Sequence, residues 1–111
     1  MPRIDEFLRE MVSSGASDLH MLPGFPPLLR LRGDLEPTEH DTLSAETNEQ
    51  LLFEMLTPEQ QEKLKANLQL DRAYEVEGVA RFRCNYFYQR RGLSAVFRHI
   101  PTQIKSLQEL Q

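Results

Sequence analysis

The residues best suited to chemistry are three arginines in the last third of the chain, Arg81, Arg83 and Arg98, set in the segments Arg81-Phe82-Arg83-Cys84-Asn85 and Ala95-Val96-Phe97-Arg98. A planar guanidinium donates two parallel hydrogen bonds to a carboxylate or a phosphate, so arginines gathered on one surface make an anion site. Their spacing gathers them. If the two segments pair as a hairpin closing through Arg90 and Arg91, Gln89 faces Gly92, and Cys84, Tyr86 and Arg83 fall opposite Phe97, Ala95 and Arg98. Side chains alternate along a strand with a period of 2, which puts Arg81, Arg83, Asn85, Ser94, Val96 and Arg98 on one face. Phe82, Cys84, Tyr86, Tyr88, Ala95 and Phe97 take the other, apolar face. Like charges directly across a ladder repel, so Arg83 opposite Arg98 requires a compensating anion. No acidic residue occurs between Gly78 and Gln108. The anion therefore comes from elsewhere in the fold, with Asp71 and Glu75 on the neighbouring strand as candidates, or from a ligand.

Other reactive side chains are less organised. His20, His40, His99 and Cys84 lack metal-ligand spacing, and Cys84 sits on the apolar face as a small buried hydrophobe. Asp18 and His20, two apart on one strand face, have the makings of an acid–base pair, yet no nucleophile or oxyanion loop accompanies them. No glycine-rich loop ends in Gly-Lys-Ser or Gly-Lys-Thr, so this stretch has no phosphate cradle for hydrolysing a nucleotide. Basic and aromatic residues also interleave as in an RNA-recognition strand, but the aromatics and the arginines alternate onto opposite faces. Nucleic acid is thereby disfavoured as a partner.

The elements that position these residues are legible from periodicity. Ile4, Phe7, Leu8, Met11 and Val12 form one stripe of an opening helix that Gly15 terminates. Alternation predicts short strands at 18–21 and 29–32, with Gly33-Asp34 as a tight turn into an edge strand marked by Pro37. Ser44 is an N-cap for a helix carrying Leu51, Leu52, Met55 and Leu56, and Thr57-Pro58-Glu59-Gln60 is a capping box for a third, carrying Leu64 and Leu68. Leu70, Arg72, Tyr74 and Val76 alternate along a further strand, and Glu77-Gly78 turns it into the arginine hairpin, spanning 79–88 and 93–100. After Pro101, Ser106-Leu107-Gln108-Glu109 is another capping box, the start of a helix leading onward.

Composition bounds the rest. With 111 residues, 40% hydrophobic and 27% charged, the chain makes one small α+β domain, too small to enclose a large catalytic cavity. No stretch approaches the ~20 apolar residues of a membrane span. A single cysteine forms no internal disulfide, which predicts a reducing, cytoplasmic setting. The net charge of −4 conceals an asymmetry: residues 1–77 carry 7 basic and 16 acidic groups, whereas 78–111 carry 6 basic and 1 acidic. Anion-binding potential is confined to the last third.

Four segments in order, Gly15-Ala16-Ser17-Asp18-Leu19-His20, Gly78-Val79-Ala80-Arg81-Phe82-Arg83-Cys84-Asn85, Ala95-Val96-Phe97-Arg98-His99-Ile100-Pro101 and Ser106-Leu107-Gln108-Glu109-Leu110, resemble the N-terminal domain of the PilT-like type IV pilus retraction ATPases. Cys84 departs from that pattern, which usually has Val there. The resemblance implies a PAS-like domain over 1–101, a mostly antiparallel sheet with helices packed against it. It implies that 102–111 are a linker and helix start leading to a RecA-like ATPase domain. It further implies a homohexamer at the inner face of the cytoplasmic membrane, working with the pilus inner-membrane machinery. There the N-terminal domain senses nucleotide at a subunit interface. ATP and Mg would serve the full-length protein, Arg81, Arg83 and Arg98 would reach the phosphates, and this chain alone would hold no cofactor and catalyse nothing. The short lead before the first helix favours the retraction branch over secretion or pilus-assembly ATPases. A free-standing PAS-like small-molecule or interaction module is the alternative.

Overall fold

The computed structural model describes residues 3–100. The opening helix, α1 (Ile4–Ser14), buries Ile4, Leu8 and Met11, with Phe7 and Val12 half-buried beside them. Gly15 ends it in the left-handed region at φ 78°, donating back to Met11 and Val12. Such a conformation is adopted without strain only by a residue lacking Cβ. The chain then runs through β1 (Asp18–Met21), β2 (Leu28–Leu31) and β3 (Asp34–Pro37).

The β2–β3 turn differs from the sequence expectation by one residue. Leu31 pairs with Asp34, so the two-residue loop is Arg32-Gly33 and not Gly33-Asp34. Both loop residues have positive φ, 53° and 89°, as a hairpin turn matched to strand twist demands. Arg32 accepts that conformation because the register is fixed by Leu29 and Leu31 facing inward.

Two capped helices follow. Ser44 accepts from the Thr47 amide to start α2 (Ala45–Phe53), and Thr57 and Gln60 complete the reciprocal capping box of α3 (Pro58–Asn67). Leu68 departs from the helical stripe assigned to it. It is the α3 C-cap at φ 65°, exposed, and its carbonyl accepts from the Tyr88 amide. The helix must reverse directly into β4 (Gln69–Val76), and that reversal takes Leu68 out of the apolar row. The chain closes with β5 (Ala80–Gln89) and β6 (Gly92–Ile100).

All adjacent strands are antiparallel, in the order β3-β2-β1-β6-β5-β4, which confirms the α+β architecture. The β5–β6 register is the one expected, with Cys84 opposite Phe97, Tyr86 opposite Ala95 and Arg83 opposite Arg98. The inward faces supply Leu19, Met21, Leu29, Phe82, Cys84, Tyr86, Leu93, Ala95 and Phe97, which form one core with the helical residues Leu8, Met11, Leu51, Leu52 and Leu64.

Polar contacts lock the helices to that side. Asn48 of α2, fully buried, donates from Nδ2 to the carbonyls of Met21 (3.1 Å) and Leu93 (2.8 Å). Arg72 faces inward from β4 and donates from Nη1 to Met55 O at 2.7 Å and Gln60 Oε1 at 3.0 Å. The Tyr74 hydroxyl donates to Asp5 at 2.7 Å, joining β4 to α1. The capping-box segment at 106–109 and Pro101 lie outside the described residues.

Candidate functional site

With the helices on one side, Arg81, Arg83, Asn85 and Arg98 project from the opposite face of the sheet, whereas Arg72 and Tyr74 of β4 turn toward the helices. Arg81 and Arg83 are both exposed there, as is Arg98, whose side chain is 68% accessible. None of the three fills the core. Arg83 has Arg98 across one ladder and Ala73 across the other, while Arg81 has Glu75 as its β4 partner. Asp71 is occupied by Asn85, which donates to it.

The carboxylate nearest Arg98 comes from β1. Asp18 is the ladder partner of Arg98 on one side and of Arg30 on the other. It is 5% exposed, accepts from Arg98 Nη2 at 3.3 Å, and lies 4.0 Å from Arg30 Nε. Arg30 is itself steadied by donating from Nη1 to Gly33 O at 2.9 Å. Arg81 and Arg83 form no ion pair among the described residues.

His20 lies on the same face, with Nε2 3.9 Å from Asp18 Oδ2, beyond hydrogen-bonding reach. Burial pushes its pKa down, and Arg30 and Arg98 push in the same direction, against the opposing pull of Asp18. Burial thus favours the neutral imidazole, and no hydrogen bond joins it to Asp18. Cys84 is unreactive: burial raises its thiol pKa to about 12, leaving it protonated on the inward face. Among the described residues no group of three or more His, Cys, Asp or Glu side chains is placed to hold a metal ion. Among the same residues no helix is long and apolar enough to cross a membrane.

A cleft of about 1060 Å³ opens over this face, with Asp18, His20, Arg30, Arg83, Asn85 and Arg98 in its wall. Arg83 and Arg98 are thus brought together as the spacing predicts. Arg81 shares their face but lies outside the cleft wall, beside Glu75. Sequence reasoning missed Arg30 and the part played by Asp18. Alternation already places both on the polar side of their strands; what it lacks is the strand order that sets β1 between β2 and β6.

What the fold and this face define is an α+β domain whose open sheet face carries an arginine cluster. The crystal structure of the pilus retraction motor PilT with bound ADP matches it with a TM-score of 0.81 and 35% identity, over 87% of this chain and 29% of that one. No family model matches the sequence. The type IV pilus retraction ATPase PilT of Pseudomonas aeruginosa is 40% identical over 112 residues, 96% of this chain and 31% of PilT. The type IV pilus ATPase PilU of the same organism is 33% identical over 107 residues, 96% of this chain and 28% of PilU. The chain is homologous to the N-terminal region of the PilT/PilU twitching-motility ATPases. It spans about a third of the length of the relatives it matches.

Proposed function

We propose that this chain is the nucleotide-sensing and subunit-interface domain of a hexameric ATPase that powers type IV pilus retraction. On this reading residues 1–101 form the domain, and 102–111 begin the connection to a RecA-like ATPase domain that supplies the phosphate loop and binds ATP with Mg. The open sheet face of one subunit lies over nucleotide held by that motor domain, with Arg81, Arg83 and Arg98 as phosphate contacts. The ring works in the cytoplasm against the pilus inner-membrane machinery, and neither nucleic acid nor membrane insertion is involved.

The observation that carries this reading is Arg83 facing Arg98 across β5–β6 on a face from which the core asks nothing. Two cations directly opposed are unfavourable unless an anion is shared between them. Of these two, Asp18 reaches Arg98 and not Arg83. A phosphate above the ladder completes the balance, since guanidinium groups match its geometry. The likeness to PilT, whose structure was solved with ADP, supplies a nucleotide as the source of that phosphate. In such an assembly Arg83 and Arg98 bind and orient phosphate oxygens, and the cleft excludes water once a neighbouring domain covers it.

The test uses the full-length protein. Arg98→Ala and Arg83→Ala lower steady-state ATPase activity by at least tenfold, from lost charge-assisted hydrogen bonds of about 1.5–3 kcal/mol each. Lys at either position restores part of it, keeping the charge and losing the fork. Unchanged turnover and unchanged nucleotide affinity in both alanine variants refute the phosphate-contact reading.

A further inference from the structure

Asp18 combines features that a surface carboxylate does not have. It is 5% exposed, it stands in the middle of the sheet with an arginine as ladder partner on each side, and its strand neighbours Leu19 and Met21 are fully buried in the core. The backbone therefore fixes its position. Around it the cleft wall carries three guanidinium groups on the open face, those of Arg30, Arg83 and Arg98, while Arg72, also in the wall, turns its guanidinium inward to Met55 and Gln60. Asp18 and Asp71, the latter held by Asn85, are the carboxylates of that wall, so one positive charge is left unbalanced, and His20 adds none while neutral.

The grip on Arg98 is loose. A single contact from Nη2 at 3.3 Å uses one of five donors, and a side chain that is 68% accessible keeps the others toward solvent. Arg30 stands farther still, at 4.0 Å. Contacts of this length are held by charge more than by directed hydrogen bonds, so they exchange readily when a second anion enters.

We propose that Asp18 is an internal counter-anion, which holds Arg98 on the sheet face while the cleft is empty and competes with ligand phosphate for it. The inference rests on the reading of this face as a phosphate site. Asp18 is then a positioning residue whose charge sets the affinity of the arginine cluster. With the carboxylate present the cluster is partly satisfied without ligand, so phosphate binds weakly and leaves. Without it the three cations repel one another until an external anion arrives.

The test is calorimetric titration of the 111-residue chain with inorganic pyrophosphate at constant ionic strength, for the natural sequence, Asp18→Asn, Asp18→Glu and Arg98→Ala. Freeing the Arg98 guanidinium from its counter-charge at 3.3 Å, in a half-solvated cleft, predicts binding roughly three- to tenfold tighter in Asp18→Asn. Asp18→Glu, which keeps the charge, stays within about twofold of the natural chain. Adding Arg98→Ala to Asp18→Asn removes the gain, because the carboxylate acts through that guanidinium.

Equal or weaker binding by Asp18→Asn, with the natural chain binding measurably, overturns the proposal and leaves the phosphate site standing. Binding by neither overturns both. Should Asp18→Asn show no cooperative melting in chloride, pyrophosphate restores the transition under this proposal, and failure to restore it counts against it.

Discussion

Arg83 and Arg98 are chemically identical, directly opposed, and both on the open sheet face, yet their removal should affect stability in opposite directions. Arg98→Ala deprives Asp18 of its 3.3 Å hydrogen bond and leaves a 5% exposed carboxylate with Arg30 at 4.0 Å. A hydrogen bond to a charged group contributes about 1.5–3 kcal/mol when fully buried. Two-thirds exposure of the Arg98 side chain reduces that to about 0.5–1 kcal/mol by solvent screening. Relief of the repulsion with Arg83 returns a few tenths. The net loss is about 0.5 kcal/mol, which lowers the melting temperature of a domain this size by roughly 2–4 °C. Arg83→Ala breaks no ion pair among the described residues and removes the same repulsion, so it leaves the melting temperature unchanged or raises it by about 1–2 °C. Urea and thermal unfolding of the two variants beside the natural chain decide the matter. A melting temperature in Arg83→Ala as low as in Arg98→Ala refutes the assignment of Asp18 as the specific partner of Arg98.

Asn48→Ala strands two buried carbonyls, those of Met21 and Leu93, and should destabilise by about 2–4 kcal/mol, visible as a shifted urea midpoint with unchanged m-value; a shift below about 0.5 kcal/mol contradicts the assigned bonds. His20 has a folded pKa below its unfolded value because burial disfavours its cation. The unfolded chain then binds the extra proton first, so His20 contributes stability that is fully present above the unfolded pKa of about 6.5 and is lost as pH falls from there toward the folded value. His20→Gln should flatten the fall in melting temperature between about pH 6.5 and 5, and an unaltered slope counts against it. Cys84 should resist thiol reagents at pH 8 in the folded chain and react promptly in denaturant, because burial holds the thiol at about 12; prompt reaction of the native protein places the thiol at the surface.

How much of the fold and of the cleft is legible in the sequence follows from how local each signal is. The α1 stripe, the Ser44 and Thr57 caps and the β5–β6 register all rest on residues a few positions apart, or on one tight turn that fixes a whole ladder. Each is observed as expected. The β2–β3 turn is displaced by one residue because only Gly33 advertises positive φ, and nothing in Arg32 announces that it shares that conformation. Leu68 is apolar and in phase with Leu64, but a C-cap leading straight into an edge strand takes precedence over the stripe. The Asp18–Arg98 contact spans 80 positions. Alternation assigns each end to a polar face, and only the placement of β1 beside β6 joins them, which no local pattern encodes.

That separation also explains how the fold keeps a reactive face without endangering itself. Every residue on the inward face of β5 between Phe82 and Tyr86 is fully or almost fully buried, and the alternate residues Arg81, Arg83 and Asn85 are exposed. Stability and chemistry thus occupy opposite sides of the same backbone. The period of 2 prevents one from being traded for the other without a register slip, and a slip would drive three charged or polar groups into the core. The β5–β6 turn at Arg90-Arg91 and the β1 partners of Phe97 and Arg98 pin the register from both sides of β6. Cations can therefore be opposed on the open face at a cost of a few tenths of a kcal/mol, while the inward face contributes several kcal/mol through Phe82, Tyr86 and Phe97. Apolar burial fixes the geometry, and the much weaker repulsion between Arg83 and Arg98 is tolerated on the open face.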